Sequence, residues 1–172
     1  MARPMWFVAL LTKACPGRVL LAELTKVPIV GSVVDHILFR GDDIVYLPQN
    51  EVVPVDEPVE AQDEVVLPSQ VVEHFVQEAR YHWIMDVCIC RDASRCDDYP
   101  QDLGCLFLGE AVLGIHPKLG RLVSKEEALA HLERCRDAGL VHIVGRYRLD
   151  AFWMGGGPGD RLLTGCNWCP CC

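Results

Sequence analysis

The chain has 172 residues, about half of them apolar, enough to bury a core without metal or disulfides to compensate for small size. Its formal net charge of −8 argues against nucleic acid as the main partner, since phosphate binding needs clustered Lys and Arg. Ten cysteines exceed what stability requires at this length.

Charge is uneven along the chain. Residues 1–40 carry five Lys or Arg against Glu23 and Asp35, so they are net +3 and the remainder net −11. Short amphipathic helices are expected over 5–14, 18–26 and 29–39, punctuated at Pro16-Gly17 and Pro28 and stopped at Gly41. Packing within the chain is the favoured use of their apolar faces. A basic, apolar head of this kind is also a surface for peripheral contact with an anionic membrane. Lys13 interrupts the first apolar run, no signal cleavage site follows, and no run reaches the roughly 18 apolar residues of a span. The chain reads as cytoplasmic, with membrane association through residues 1–40 as a further expectation. In that compartment clustered cysteines serve as metal ligands or catalytic groups rather than disulfides.

Residues 42–67 are strand-like at Ile44-Val45-Tyr46-Leu47 and Val52-Val53, cut by prolines and strongly acidic. They predict a small hairpin and a solvated linker. After Pro68, Ser69 is placed to cap a helix over 70–85, with Val72, Phe75, Val76, Ala79 and Trp83 at helical spacing. A short helix carrying Cys105 is expected over 102–112. Ser124-Lys125-Glu126-Glu127 is a capping box opening a helix over 125–138, ended by Gly139 and followed by an extended segment over 140–144. The expected fold class is α+β: residues 1–67 form a helical and hairpin region with its acidic linker, and residues 68–172 form a helix-rich, cysteine-rich cluster domain.

Eight of the ten cysteines fall in two groups, Cys88, Cys90, Cys96 and Cys105, then Cys166, Cys169, Cys171 and Cys172. Cys15 and Cys135 stand apart and read as small buried hydrophobes. Spacings of CxC and CxxC let one stretch of irregular backbone aim several sulfurs at one centre. Thiolate-only sites select iron–sulfur clusters, zinc or copper(I), and iron–sulfur clusters take four thiolates each. All eight are therefore candidate ligands to the iron of one or two clusters, one per group or one drawing on both. Zinc is the competitor, although only Cys166–Cys169 has the usual CxxC form. A disulfide scaffold is less favoured, because adjacent Cys171 and Cys172 bridge poorly. Gly155-Gly156-Gly157-Pro158-Gly159 permits close backbone approach to a bulky centre, or is an ordinary loop. Arg91 and His116 read as solvated, and His74 and His82 as surface or satisfied core residues.

The runs Cys88-Ile-Cys-Arg, Cys96-x-x-Tyr-Pro-x-Asp-Leu-Gly-Cys-Leu-Phe-Leu-Gly-Glu-Ala, Gly120-Arg-x-Val-Ser-Lys-Glu-Glu-Ala, Gly139-Leu-Val-His and Cys166-Asn-x-Cys-Pro-Cys-Cys together resemble a cysteine-rich ferredoxin-type protein family of anaerobic archaea and bacteria. The resemblance spans about residues 24–172 and implies [4Fe-4S] binding without implying a reaction. Members tend to carry cysteine where this chain has Trp168, and further residues beyond the position of Cys172. The expectation is an electron carrier or redox subunit, met by a larger oxidoreductase with a basic docking patch. Alternatives are a zinc-binding structural module and a cluster-based sensor. No catalytic residue is assigned: there is no CxxxCxxC triplet, no GxGxxG and no clearly placed carboxylate pair.

Overall fold

The computed structural model describes residues 3–14, 17, 23–24, 26–38, 43–47, 69–155 and 161–171. The elements in chain order are α1 (Met5–Ala14), α2 (Pro28–Leu38), β1 (Asp43–Leu47), α3 (Ser69–Glu78), β2 (His82–Met85), α4 (Ile89–Ser94), β3 (Leu106–Leu108), a 3-10 turn (Glu110–Gly114), β4 (Gly120–Val123), α5 (Lys125–Asp137), β5 (Val141–Arg146), α6 (Arg148–Met154) and β6 (Leu163–Trp168). The six strands form one sheet in the order β1-β5-β6-β3-β2-β4, with every neighbouring pair antiparallel. The fold is α+β.

Alternation along the strands splits the core into two layers. On one face Trp83, Met85 and Phe107 pack with Ile89 of α4, Val112 and Ile115 around the 3-10 turn, and Met154 of α6. Trp83 meets Phe107 edge-on, with ring centroids 5.7 Å apart. On the other face Ile84, Leu106, Leu108 and Val144 lie under Val72 and Val76 of α3 and Ala128 and Leu132 of α5. The central strands are thus buried on both sides, which gives them continuous apolar runs.

That two-sided burial explains two departures from the sequence reading. The helix expected over 70–85 ends at Glu78, and His82–Met85 turn into strand β2. The helix expected over 102–112 is strand β3 followed by the 3-10 turn, with Cys105 immediately before the strand. In both segments the backbone hydrogen bonds run to neighbouring strands: His82 lies opposite Leu108 and Ile84 opposite Leu106.

Other expectations stand. α1 and α2 lie where helices were read, and α5 carries the full capping box: the Ser124 hydroxyl accepts from Glu127 N–H at 3.2 Å, and the Glu127 carboxylate accepts from Ser124 N–H at 3.1 Å. Gly139 follows α5 with φ +77°, a left-handed value that glycine adopts without strain. Ile44–Leu47 are extended, and their partner is β5, with Val45 opposite Val144. Most of the helix expected over 18–26, the other strand of the expected hairpin, the linker, Cys15, Cys172 and residues 156–160 lie outside the described residues. α1 docks on α6: Arg3 Nε donates to the Phe152 carbonyl at 2.9 Å and its guanidinium stacks on the Phe7 and Phe152 rings. No described helix is long and apolar enough to cross a membrane.

Candidate metal centre

The centre forms where β3 and β6 reach one end of the sheet. Leu106 pairs with Gly165 in the β3–β6 register, and continuing it one step sets Cys105 beside Cys166. Their thiols hydrogen-bond to each other, and that bond, followed by burial, pushes the Cys105 thiol well above its ordinary value. Cys88 is close enough to add to the effect.

Helix α4 delivers the next sulfurs. Cys88 is its N-cap residue, and its N–H donates to the Gln101 carbonyl at 2.7 Å. Cys90 lies in the first turn and is half-buried. The helix stops at Arg95, whose φ of +51° is the one positive value at a non-glycine among the described residues. This left-handed step is disfavoured for a side chain with a Cβ. It turns the chain so that Cys96 N–H reaches back to the Arg91 carbonyl at 3.0 Å, which places Cys96 in the interior.

There Cys96 meets the second group. Cys96, Cys169 and Cys171 present sulfurs that all lie within 4.8 Å of one another, with Cys96 and Cys169 buried. Cys96 and Cys171 are joined as a disulfide, with Cα atoms 5.9 Å apart. Cys88, Cys90, Cys105, Cys135, Cys166 and Cys169 are not disulfide-bonded. The two cysteine groups therefore interleave. The first supplies Cys96 to a cluster of sulfurs otherwise drawn from the second, and Cys105 of the first lies beside Cys166 of the second. A bridge linking the groups also departs from the expectation that disulfides play no part.

Cys135 was read as remote from both groups. It is fully buried, as a small hydrophobe would be, but it packs in one cluster with Cys96, Cys169, Leu103 and Leu140. Burial pushes its thiol up to about 12, so it is protonated at neutral pH.

Arg91 corrects a second reading. It was expected in solvent, yet its relative exposure is 0%. Nη1 donates to the Asn167 carbonyl at 2.8 Å and lies 3.9 Å from Cys169 Sγ, while Nη2 donates to the Leu103 carbonyl. The guanidinium fork thus joins the approach to β3 with the end of β6.

Beneath it runs a buried polar network that the sequence did not announce. Asn167 Nδ2 donates to the Gly104 carbonyl at 2.8 Å, and Asn167 Oδ1 lies 2.9 Å from His142 Nδ1. His131 Nε2 lies 2.9 Å from the same carbonyl and 3.6 Å from Cys135 Sγ. Burial holds both imidazoles below their ordinary pKa, so they are neutral at pH 7. Gly104 must be glycine, because a Cβ there would run into the Met85 carbonyl. His82 is a satisfied core residue, its Nε2 2.6 Å from the Val76 carbonyl, whereas His74 is exposed. Trp168 is 37% exposed, and His116 Nδ1 accepts from Lys118 N–H at 3.2 Å.

Converging sulfurs of this kind can bind a soft metal once the Cys96–Cys171 bridge is reduced, and three of them supply most of a four-ligand set. Comparison with family models, curated proteins and solved structures returned no match.

Proposed function

We propose that the protein holds an iron–sulfur cluster of the [4Fe-4S] type at this end of the sheet and transfers electrons to or from a larger redox partner. The observation carrying the reading is the convergence of Cys96, Cys169 and Cys171 from two distant parts of the chain. Cys105 stands beside Cys166, with Cys88 close enough to act on it, and these supply further thiols. Such a supply of sulfur exceeds what one structural ion needs. One or two clusters are compatible with the ligand supply. Cys90 sits on the adjoining helix, and Cys172 follows Cys171 directly.

Ligation requires thiolates, so the metal-holding form is the one in which the Cys96–Cys171 bridge is reduced. An external dithiol reductant, itself oxidised to a disulfide, supplies the two electrons and two protons that convert the bridge to two thiols, and the metal then displaces the protons. The acidic body of the chain suits a partner with a basic docking patch, and association would weaken as salt rises.

A second reading, a mononuclear thiolate site holding zinc, is favoured by one observation. Tetrahedral Zn–S bonds of about 2.3 Å put ligand sulfurs roughly 3.8 Å apart. The three sulfurs all lie within 4.8 Å of one another, which leaves room for that spacing once the Cys96–Cys171 bridge is reduced. In a cluster the thiolates bind different irons and must stand further apart.

Anaerobic purification with iron, sulfide and zinc analysis, then EPR after reduction, separates the readings. The cluster reading expects iron and sulfide in equal amounts, about four or eight per chain, and a four-iron signal. Stoichiometric zinc without sulfide, from cells grown anaerobically with ample iron, would replace it with the structural module.

A further inference from the structure

Arg91 is a buried cation at a site built from sulfur. Its guanidinium stays charged at any physiological pH. The Leu103 and Asn167 carbonyls orient it. Nη1 is also 3.9 Å from Cys169 Sγ, and its positive field reaches Cys135, where it opposes the effect of burial.

Four thiolates around a divalent metal ion, or around an oxidised four-iron cluster, carry a net charge of about −2, and one-electron reduction of the cluster adds another negative charge. In a buried setting such an assembly is stabilised by a nearby fixed positive charge. We infer that Arg91 is the counter-charge of the thiolate centre: it favours the metal-bound, anionic assembly over the neutral thiols and, in an iron–sulfur form, the reduced state over the oxidised one. Arg91 is then a positioning residue, outside the ligand set. This inference rests on the proposed thiolate metal centre.

The competing role is mechanical, since the same fork joins the approach to β3 to the end of β6. Two substitutions separate the roles. Arg91→Gln keeps an amide donor and removes the charge. Arg91→Lys keeps the charge and removes the planar fork.

The test uses the full chain, reduced anaerobically and loaded with Co(II), with sulfur-to-cobalt absorption and chelator competition giving the affinity. Wild type should bind Co(II) with thiolate bands. R91Q should bind about 10- to 100-fold more weakly, as is usual when a neighbour of a ligand is lost, and R91K should stay near wild type. In the iron-loaded protein the midpoint potential of R91Q should fall, by about 59 mV for each tenfold change in the ratio of reduced to oxidised binding. Equal affinity in wild type and R91Q, or a loss in R91K as large as in R91Q, would overturn the inference. If R91Q does not fold, R91K decides by itself: retained affinity supports the counter-charge, and lost affinity assigns the fork a mechanical role. Absence of Co(II) binding in reduced wild type is a separate outcome, which would remove the metal centre and the inference together.

Discussion

The middle of the sheet and its cysteine end are built on opposite principles. In the middle, Phe107, Leu106, Trp83 and Ile84 are buried among apolar neighbours on both faces. At the end, within a few residues along β3 and β6, the interior holds Arg91, His131, His142, Asn167 and several sulfurs. An apolar middle stabilises the fold by itself. Buried polar groups lower stability unless each finds a partner; among the described residues His131 Nδ1 and His142 Nε2 have no hydrogen-bond partner, while the middle holds one such atom, Thr164 Oγ1. Stability alone does not call for such an end, and its three convergent sulfurs could bind a metal.

The largest effect that could break this contrast is in the middle. Phe107→Ala should cost about 3–5 kcal/mol in chemical denaturation, because it opens a cavity in the layer it shares with Trp83, Met85 and Met154. Metal content of the folded fraction should not change. Loss of metal with intact stability would mean that the two regions are not separable in this way.

Reduction comes next. Removing the Cys96–Cys171 bridge should lower stability of the metal-free chain by about 2–4 kcal/mol, read as a drop in Tm. The same treatment should enable Co(II) or Zn(II) uptake, and metal should then restore part of the lost stability. Uptake by the oxidised protein at the same level would exclude these two sulfurs from the ligand set.

Acid should act on the polar end selectively. His131 and His142 are both held below their ordinary pKa by burial, so the unfolded chain binds more protons than the folded one as pH falls through the unfolded value of about 6.5. Their contribution is complete above that value and is lost on acidification through the lowered folded values. Stability should therefore fall from pH 7.5 to pH 5.5, and His142→Gln should flatten the decline. An unchanged slope in H142Q would remove His142 from the explanation.

The smallest effect is a control. Ser124→Ala should cost about 1 kcal/mol by deleting the cap of α5, with metal binding untouched.

Legibility in the sequence follows the same division. Local chemistry was readable: the capping box gave α5, Gly139 gave its end, and the run after it gave β5. β2 and β3 were harder, because strands buried on both faces lose the alternation that separates strand from helix. In hindsight the short run Leu106-Phe107-Leu108 between Gly104 and Gly109 is bounded as a strand would be. The sulfur groups were legible as candidate metal ligands from composition and spacing, but their interleaving was not. It depends on the β3–β6 register and on the left-handed step at Arg95, neither of which CxC spacing encodes. The burial of Arg91 was equally hidden, since the carbonyls that receive it belong to Leu103 and Asn167. His142 and Asn167 meet only because the β5–β6 register sets them opposite each other.

The central claim is that the two cysteine groups build a shared centre. Its most direct test is metal and sulfide content, after anaerobic reduction and reconstitution, of wild type, Cys96→Ser and Cys169→Ser. The account predicts that each substitution, one in either group, removes the same centre, so that the double variant loses no more than either single one. Additive losses, with C96S and C169S each removing a different share of the metal, would mean that each group holds a site of its own and would contradict it.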